Sequence, residues 1–390
     1  MFIKRNLQAV LENYASKFPV VAVIGPRQAG KTTIVREVFA GHTYFSLEDP
    51  DTLEAVNADP RYFLEKNYNS NGLILDEFQN NPQILSYMQG IVDNNRRPGY
   101  FILTGSHNFL MNQAITQSLA GRVALLTLLP LSLQELKQSN LIPSTIDEAV
   151  FKGGYPDIFS RNFSPTEFYP QYTKTYVERD VRQLINVGNL SDFQRFMRLC
   201  AGRIGQLLNV SSLADDCNIS VATVKSWLSI LEASYVLFLL QPHFNNYNKR
   251  LIKSPKLYFY DTGLACWLLK IVSQEQVSDH YLRGGLIESL IIAEFAKKFY
   301  NQGTDPSLYF WRDSHGHEVD CILDYGTTLI PIEVKSAKTI NQRFFDGLHY
   351  WTELAGVDKS QGYVVYAGSQ SDERSGGNII GWQSAGDIVR

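Results

Sequence analysis

The chain has 390 residues, and 36 basic against 39 acidic side chains give it a formal net charge of −3 at pH 7. Its 44% apolar content is that of a globular protein, and its length predicts two or three domains. The near-neutral charge excludes a chain-wide attraction to nucleic acid, so such binding must come from local basic patches. The longest apolar run, 235–240, is far too short to cross a membrane, and no membrane contact is expected.

The four cysteines are scattered along the chain and form no C-x-x-C pair, which argues against a disulfide framework and against a zinc site. They are Cys200, Cys217, Cys266 and Cys321. The N-terminal segment MFIKRNLQAVLENYASKF has no long apolar core, so it is not typical of a signal peptide. These features predict a protein of the reducing cytoplasm.

A helix is predicted within residues 1–19, followed by a short apolar strand, 20–24, of the kind buried in parallel sheets. The next eight residues read GPRQAGKT and fit the pattern G-x-x-x-x-G-K-[ST] at every fixed position. Gly25 and Gly30 let the backbone curl so that successive N–H groups point at a phosphate. The helix that begins near Lys31 adds the positive end of its dipole.

The side chains of this loop have separate predicted roles. Lys31 supplies positive charge to the β- and γ-phosphates, and the Thr32 hydroxyl is a ligand for Mg²⁺. A chance glycine loop is the alternative, and the strand before and helix after disfavour it. The predicted nucleotide-binding residues of the loop are Gly25, Pro26, Arg27, Gln28, Ala29, Gly30, Lys31, Thr32 and Thr33.

Strands are next predicted near 43–47 and at 72–76, and the second of these ends in two acids. Asp76 is expected to hold Mg²⁺ through water, and Glu77 to polarise the water that attacks the γ-phosphate. Two surface acids at a strand end are the alternative. The phosphate loop at ordinary spacing upstream favours the catalytic interpretation.

The strand at 100–105 is expected to lie between the strand that precedes the phosphate loop and the strand at 72–76. Its polar end would then face the γ-phosphate. Ser106 or Thr104 would then orient the water, although residues that simply cap a strand explain either side chain equally well. Arg122, just before a strand at 123–128, is a candidate arginine finger. A solvated or salt-bridged arginine explains it equally well. The alternation of strands and helices predicts a parallel sheet with helices on both faces.

Two short helices with serine caps are predicted at 210–217 and 221–234, separated by a turn. This pattern is typical of a helix-turn-helix. An apolar run, a polar turn at 245–248 and a strand near 258–260 follow, and together they predict a winged helix. The basic residues of the predicted wing are Lys249, Arg250, Lys253 and Lys256.

A winged helix has two possible uses in this chain. It could contact DNA, with its second helix in the major groove and its wing on phosphates. It could instead be a protein-packing module. The second use is favoured, because Lys225 is the sole basic residue on the predicted recognition helix.

The C-terminal part is predicted to contain a helix at 284–295 and strands at 308–312, 317–323 and 329–335. Its last two strands carry the spaced pattern D…E-x-K, with Val319 standing where a proline is common. Glu333 and Lys335 are two residues apart and point to the same face. The predicted Mg²⁺ ligands are Asp320, Glu333 and Glu288.

Lys335 would then lower the pKa of a metal-bound water or stabilise the transferred phosphate. The alternative is a buried polar cluster used for binding or assembly, because a nuclease-like fold does not by itself imply nuclease activity.

Along nearly its full length the chain resembles the bacterial and archaeal AAA-type P-loop ATPases that carry a C-terminal domain of unknown function with a restriction-endonuclease-like core. The resemblance rests on GPRQAGKTT, SLEDPD, LILDEFQ, ILTGS, SLAGR, GGYPD, YFYDTGL, GLIESLIIAEF and EVDCIL…IEVKSAK. It implies ATP as the ligand, the phosphate and Mg²⁺ roles given above for Lys31, Thr32 and Asp76, and Glu77 as the base. It further implies that Arg5 lies against the adenine.

The sequence therefore predicts an α/β chain with a P-loop parallel-sheet domain (1–150), a helical and winged-helix domain (151–275) and a restriction-endonuclease-like domain (276–390). The predicted function is an ATP- and Mg²⁺-dependent switch coupled to the later domains. One alternative is an ATP-gated DNA nuclease. Another is a signalling or scaffold module that binds ATP without turnover, against which Glu77 argues. DNA and protein partners both stay open, as does the oligomeric state, because no late-helix arginine that senses nucleotide is evident.

Overall fold

The computed structural model describes residues 3–106, 118–177, 190–243, 253–374 and 376–390. The N-terminal strands are β1 (Val20–Gly25), β2 (Thr43–Ser46), β3 (Leu73–Asp76), β4 (Phe101–Ser106) and β5 (Val123–Thr127). The helices among them are α1 (Gln8–Ala15), α2 (Lys31–Val38), α3 (Pro50–Ala58), α4 (Pro60–Lys66) and α5 (Ile84–Asn94).

The five strands form one sheet in the order β2-β3-β4-β1-β5, with every neighbouring pair parallel. The strand predicted near 100–105 is β4, and the prediction that it lies between β1 and β3 is confirmed. Every residue of β1 is buried, as expected for a central strand of a parallel sheet. Because all strands run the same way, the residues that follow β1, β3 and β4 meet at one edge of the sheet.

The middle of the chain is helical. Its helices are α6 (Leu133–Gln138), α7 (Ile146–Lys152), α8 (Pro156–Ser160), α9 (Pro165–Tyr172), α10 (Leu190–Ala201), α11 (Val210–Cys217), α12 (Val221–Ala233), α13 (Thr262–Leu268) and α14 (Gln274–Asp279). Asn218 ends α11 in the left-handed region with φ 58°, and the Ser220 hydroxyl caps α12 by accepting from Thr223 N at 3.0 Å. The two predicted helices of the helix-turn-helix therefore form where expected, but the predicted serine cap of the first is wrong, because the Asn209 side chain caps α11 by accepting from Ser212 N.

The C-terminal sheet has eight strands in the order β12-β13-β11-β10-β9-β8-β6-β7. They are β6 (Leu237–Pro242), β7 (Lys256–Phe259), β8 (Leu308–Arg312), β9 (Glu318–Asp324), β10 (Leu329–Lys335), β11 (Tyr363–Tyr366), β12 (Asp372–Arg374) and β13 (Gly377–Gly381). β6 pairs antiparallel with β7 and parallel with β8. The hairpin of β6 and β7, which follows the helix-turn-helix, is thus part of this sheet. The sheet therefore includes strands from both sides of the predicted domain boundary at 275. The predicted wing residues 245–248, Lys249 and Arg250 lie outside the described residues.

Helix α15 (Arg283–Asn301) runs across this sheet, and α16 (Asp346–Ala355) lies beside β9 and β10. The sequence predicts an amphipathic helix, but α15 is buried along most of its length, including Glu294 and Lys297. These two charged side chains are tolerated because they bond to backbone groups of 131–134. A hydrophobic core that extends from Leu129 to Val389 joins the helical region to the C-terminal sheet.

All four cysteines are free and buried. Burial raises the pKa of every one of their thiols above its ordinary value. Among the residues that the structure describes, no helix combines the length and apolar character needed to traverse a lipid bilayer.

Candidate functional site

The phosphate loop leaves β1 at Gly25, whose φ is 149°, and enters α2 at Gly30, whose φ is 95°. Both values lie in the region that favours glycine. A Cβ atom at Gly25 would also collide with the Leu128 carbonyl oxygen of the neighbouring strand end. Sterics at these two positions thus explain why the motif needs glycine there.

Lys31 is buried beneath this loop, and its Nζ donates to the carbonyl oxygens of Pro26 at 2.9 Å and Gly25 at 3.2 Å. A cavity of about 470 Å³ opens beside it and is lined by Gly30, Thr33, Leu131 and other residues. That volume falls in the range of small-molecule sites. The predicted lysine therefore faces a space in which the phosphates of a nucleotide can lie.

Asp76 is buried and is held by three hydroxyl groups. Thr32 Oγ1 donates to its two oxygens at 3.0 Å each, Tyr44 OH donates at 2.7 Å, and Thr104 also donates to it. A carboxylate and a hydroxyl in direct contact at the loop are the oxygen donors that Mg²⁺ prefers. The donor set fits Mg²⁺, with Thr32 as ligand and Asp76 holding its water. The ion would neutralise charge on the phosphates there.

Glu77 follows Asp76 in a left-handed conformation with φ 54°. Its Oε2 accepts from Ser106 Oγ at 3.0 Å and from the Gln79 amide. Burial alone would raise the pKa of Glu77, but the charge of Lys31, the Gln79 hydrogen bond and the charge of Arg27 outweigh it and lower that pKa. Glu77 is therefore ionised, as a general base must be.

The two polar residues of β4 have different neighbours. Thr104 contacts Asp76 and Ser106 contacts Glu77, so both lie at the predicted edge of the sheet. Of the two, Ser106 is the one beside the candidate base, and its role in orienting water stays a prediction.

Arg5 lines the same cavity. Its guanidinium donates to Glu135 Oε1 at 3.0 Å, to the Ala29 carbonyl at 2.6 Å and to the Leu129 carbonyl at 2.6 Å. These bonds tie the phosphate loop to α6. The contact of Arg5 with adenine stays a prediction. Because the guanidinium N–H groups already bond to Glu135, Ala29 and Leu129, such a contact would use the flat face of the guanidinium.

Arg122 lies at the opposite edge of the sheet from the phosphate loop. Its carbonyl accepts from Val20 N at the start of β1, and the six residues of β1 span about 17 Å. The guanidinium makes a bidentate ion pair with Asp93 at 2.6 and 2.9 Å. Arg122 therefore cannot reach the nucleotide of its own chain, and an arginine-finger role survives only toward a neighbouring copy.

The remaining loop residues also have defined neighbours. Arg27 pairs with Glu48 at 3.2 Å, Gln28 adopts φ 57°, and Thr33 lines the cavity. Helix α8 and the residue after it contribute Pro156, Asp157, Ser160 and Arg161 to the opposite wall. Sequence reasoning missed this wall and Tyr44, although the quoted motif GGYPD contains two of its residues.

A second cavity of about 750 Å³ opens in the C-terminal sheet. The predicted residues Glu288, Asp320, Glu333 and Lys335 all line it, so the predicted convergence occurs. Asp320 Oδ2 accepts from Val334 N at 2.9 Å across β9 and β10, and Lys335 Nζ pairs with Glu333. This acidic cleft is the second candidate site.

Lys256 and Glu318 also belong to the acidic cleft. Lys256 is one of the basic residues of the predicted wing, for which contact with DNA phosphates was the less favoured use, and it is 3% exposed. Its Nζ pairs with Glu288 Oε1 at 2.9 Å and with Glu318. Lys256 is therefore not available to phosphates, because its ammonium is buried against two acids, the partners that a buried lysine needs.

The carboxylates of the cleft crowd one another. Glu288, Glu318 and Asp320 each offer an oxygen within 4.8 Å of the others. Burial, with the charge of Asp320, raises the pKa of Glu288 to about 7 against the opposing effect of Lys256. The same two causes raise the pKa of Glu333. Oxygen donors in this number fit a hard divalent cation, and Glu318 joins the predicted ligands as a candidate.

Family models match three consecutive parts of the chain. Residues 17–137 match an AAA domain, residues 144–275 match a domain of unknown function, DUF8612, and residues 283–384 match another, DUF4143. Two uncharacterized proteins, from Mycobacterium bovis and Mycobacterium tuberculosis, are each 30% identical to the chain over 341 residues. The match covers 86% of this chain and 74% of each relative.

Solved structures give more distant likenesses. The Walker-type ATPase of Pyrococcus abyssi has 14% identity and a TM-score of 0.46, covering 68% of this chain and 96% of that one. The branch migration motor RuvB of Thermotoga maritima has 18% identity and a TM-score of 0.31, covering 60% and 86%. The ORC1 protein of Aeropyrum pernix, solved with DNA, has 13% identity and a TM-score of 0.30, covering 69% and 91%.

Proposed function

We propose that this chain, which belongs to one family with its two mycobacterial relatives and carries an AAA domain, is an Mg²⁺-dependent ATPase that works as a nucleotide-driven switch. ATP binding follows from the AAA domain and its P-loop fold. The observation that carries hydrolysis is the pair of neighbouring acids, Asp76 against the Thr32 hydroxyl and Glu77 ionised beside Ser106. Such a pair supplies a metal-holding group and a base at one sheet edge.

Lys31→Ala tests this function directly. We expect binding of a fluorescent ATP analogue and phosphate release to be lost together, because the phosphates lose their positive partner. Lys66→Ala, on the exposed side of α4 with its ammonium over the Tyr62 ring, is the matched control. Tight ATP binding by Lys31→Ala would contradict the P-loop assignment.

Helix α15 supports the coupling of nucleotide to the rest of the chain. Lys297 Nζ donates to the carbonyl of Leu131, which lines the nucleotide cavity, at 3.1 Å. Glu294 Oε2 accepts from Leu133 N at 2.8 Å. Glu288 lies on the same helix, about 9 Å from Glu294 toward the start of the helix, and it lines the acidic cleft. One rigid element therefore contacts both candidate sites.

The start of α15 supports the same proposal. Arg283 donates to Asp147 at 2.7 Å and to the Ser336 carbonyl, next to Lys335, at 2.7 Å. A displacement of the 131–135 segment by nucleotide would thus be transmitted to α15, and from it to Glu288 and the end of β10.

Hydrogen exchange measures this coupling. We expect ATP to change the exchange of residues 308–336 in the wild type, and Glu294→Ala to abolish that change while ATP still binds. Gln302→Ala, just after the end of this helix, removes an exposed contact with the Arg390 carbonyl at 3.1 Å and leaves the 131–135 segment untouched, so it is the control. An undiminished response in Glu294→Ala would contradict the route through α15.

A Mg²⁺- or Mn²⁺-dependent nuclease gated by ATP is the second candidate function. It is favoured by one observation, the convergence of Glu288, Asp320 and Glu333 with Lys335 in one cleft. Lys335 would stabilise charge on a phosphodiester held there. Lys256 weighs against it, because that ammonium already pairs with Glu288 and Glu318.

Cleavage of plasmid and linear DNA separates the two candidates. The protein is incubated with Mg²⁺ or Mn²⁺, with and without ATP, beside Lys335→Ala and Glu288→Ala. Cleavage lost in both variants supports the nuclease. Intact ATP hydrolysis without cleavage leaves the cleft as a binding site.

The helix-turn-helix is proposed as a packing module rather than a DNA reader. On α12 the exposed residues Ala222, Ser226 and Ser229 surround a single basic side chain, Lys225. DNA backbone contacts need several cations, and Lys256 is not available for them.

A further inference from the structure

Tyr44 is a polar residue of the nucleotide site to which neither the motif nor the comparisons give a role. It lies on β2, the strand beside β3, in register with Ile74. Its hydroxyl reaches across the strand end and donates to Asp76 Oδ2 at 2.7 Å. Thr32 and Thr104 approach the same carboxylate from α2 and β4. Hydroxyl groups from three elements therefore fix the position of Asp76.

The surroundings of Tyr44 keep it a donor. Its phenol O–H faces a carboxylate, which can only accept, so Tyr44 is the donor in this hydrogen bond. The guanidinium of Arg36, on the phosphate-loop helix, lies over the ring at 4.7 Å from its centre. The ring is thus held from one side while the hydroxyl points at the carboxylate.

The three donors are not equivalent when a cation is present. The Thr32 hydroxyl is also the side chain that fits Mg²⁺ as a ligand, so its hydrogen bond to Asp76 and its metal contact compete. Tyr44 is not a candidate ligand, so its bond to Asp76 Oδ2 does not compete with a metal contact. Thr32 contacts both carboxylate oxygens, and Thr104 contacts Oδ1. Outer hydrogen bonds of this kind orient metal-holding carboxylates, and their loss typically costs 10–100-fold in metal affinity.

We propose that Tyr44 is a positioning residue that orients Asp76 toward the Mg²⁺ of the Mg²⁺–ATP complex. The proposal rests on the ATPase function above and adds the residue that sets its Mg²⁺ requirement.

Tyr44→Phe tests it, because the ring and its packing under Arg36 are kept and the hydroxyl alone is lost. Binding of a fluorescent ATP analogue is titrated with Mg²⁺ and repeated in EDTA. We expect the half-saturating Mg²⁺ concentration to rise about tenfold, with the affinity in EDTA and the melting temperature unchanged. Tyr62→Phe, whose ring is 60% exposed, should match the wild type throughout.

Two results obtained with Tyr44→Phe would overturn the proposal. A Tyr44→Phe titration that overlays the wild type means that the hydroxyl does not act on the cation. An equal loss of affinity with Mg²⁺ and in EDTA means that Tyr44 serves only the packing of the loop. A wild type whose ATP affinity does not depend on Mg²⁺ would instead overturn the proposed Mg²⁺-dependent function, and this inference with it.

Discussion

At the scale of single residues, Glu77 combines an unfavourable backbone with a favourable set of side-chain contacts. Its left-handed φ of 54° costs a non-glycine residue about 1–2 kcal/mol. Bonds from Ser106 and Gln79 hold the side chain in that conformation. Residues kept in strained conformations by their surroundings are concentrated at functional sites, and this one lies directly after Asp76, the proposed Mg²⁺-holding residue.

Glu77→Gln should lower ATP hydrolysis by about 10²–10⁴-fold, the usual contribution of a general base. Binding of ATP should remain, because the amide keeps the size of the carboxylate and the phosphate loop is untouched. Phosphate release and binding of a fluorescent analogue measure the two effects separately. Unchanged turnover would show that Glu77 is not the base.

Protonation of Glu77 should not lower the rate of ATP hydrolysis near neutral pH. Its pKa lies below the ordinary value of 4.5 because Lys31, Gln79 and Arg27 together outweigh burial. The ionised, base-competent form is therefore present at every pH above 4.5 and is lost as the pH falls below it. Single-turnover rates across this range test the expectation. A midpoint well above 4.5 that disappears in Glu77→Gln would contradict it.

Residues in fixed local patterns were predictable, and residues that meet through pairing of distant strands were not. The loop from Gly25 to Thr32 and the acids at 76 and 77 follow from spacing alone. Lys256 reaches Glu318 because β6 lies between β7 and β8 in the sheet, an order that no local pattern encodes. For Arg122 the sequence left a salt bridge and an arginine finger equally open, since the end of the sheet at which it lies depends on the direction of β5.

At the scale of elements, the motifs GGYPD and YFYDTGL lock together through one aspartate. Asp261 is 3% exposed. It accepts from Gly154 N at 2.7 Å, from Tyr169 OH at 2.6 Å and from Leu264 N at 3.0 Å. The bond from Leu264 N caps α13. The bond from Gly154 N fixes the turn that leads into α8, which forms a wall of the nucleotide cavity. The sequence marks both motifs without revealing that they touch.

Asp261→Ala should destabilise the protein by about 2–5 kcal/mol, because two buried N–H groups lose their acceptor and the Tyr169 phenol is left with the Lys152 carbonyl alone. Urea unfolding followed by circular dichroism measures the change. Asp372→Ala, at an exposed pair with Arg374, is the control and should stay within about 0.5 kcal/mol of the wild type. Equal midpoints for the two variants would contradict the role given to Asp261.

At the scale of the whole molecule, the described part of the chain forms two sheets, whereas family models match three regions. β6 and β7 come from the middle region, yet they complete the sheet that β8 to β13 begin. The core from Leu129 to Val389 likewise spans both regions. Helix and strand positions here were predictable from periodicity. The shared sheet was not, because nothing local to β6 indicates its parallel partner far along the chain.

A fragment of residues 276–390 should therefore fail to fold on its own. Without β6 it would expose the edge of β8 and the apolar face that Leu237 and Leu257 cover in the intact core. A fragment of residues 129–390 retains the shared sheet and is the control. Thermal unfolding followed by circular dichroism measures both. A cooperative transition of the shorter fragment at the temperature of the longer one would contradict the prediction.

Because its cysteines are buried, the intact protein should react slowly with thiol reagents. Thiolate is the reactive form, and burial raises the pKa of every native thiol, so thiol reagents should modify the native chain only as fast as it opens. Release of chromophore from an aromatic disulfide reagent, with and without urea, checks this, and rapid modification of the native chain would contradict it. Single cysteines introduced at Tyr62 and Tyr281, which are 60% and 83% exposed, could then carry two dyes with all native thiols in place. Energy transfer between the dyes would report any nucleotide-driven movement of the first sheet relative to the start of α15.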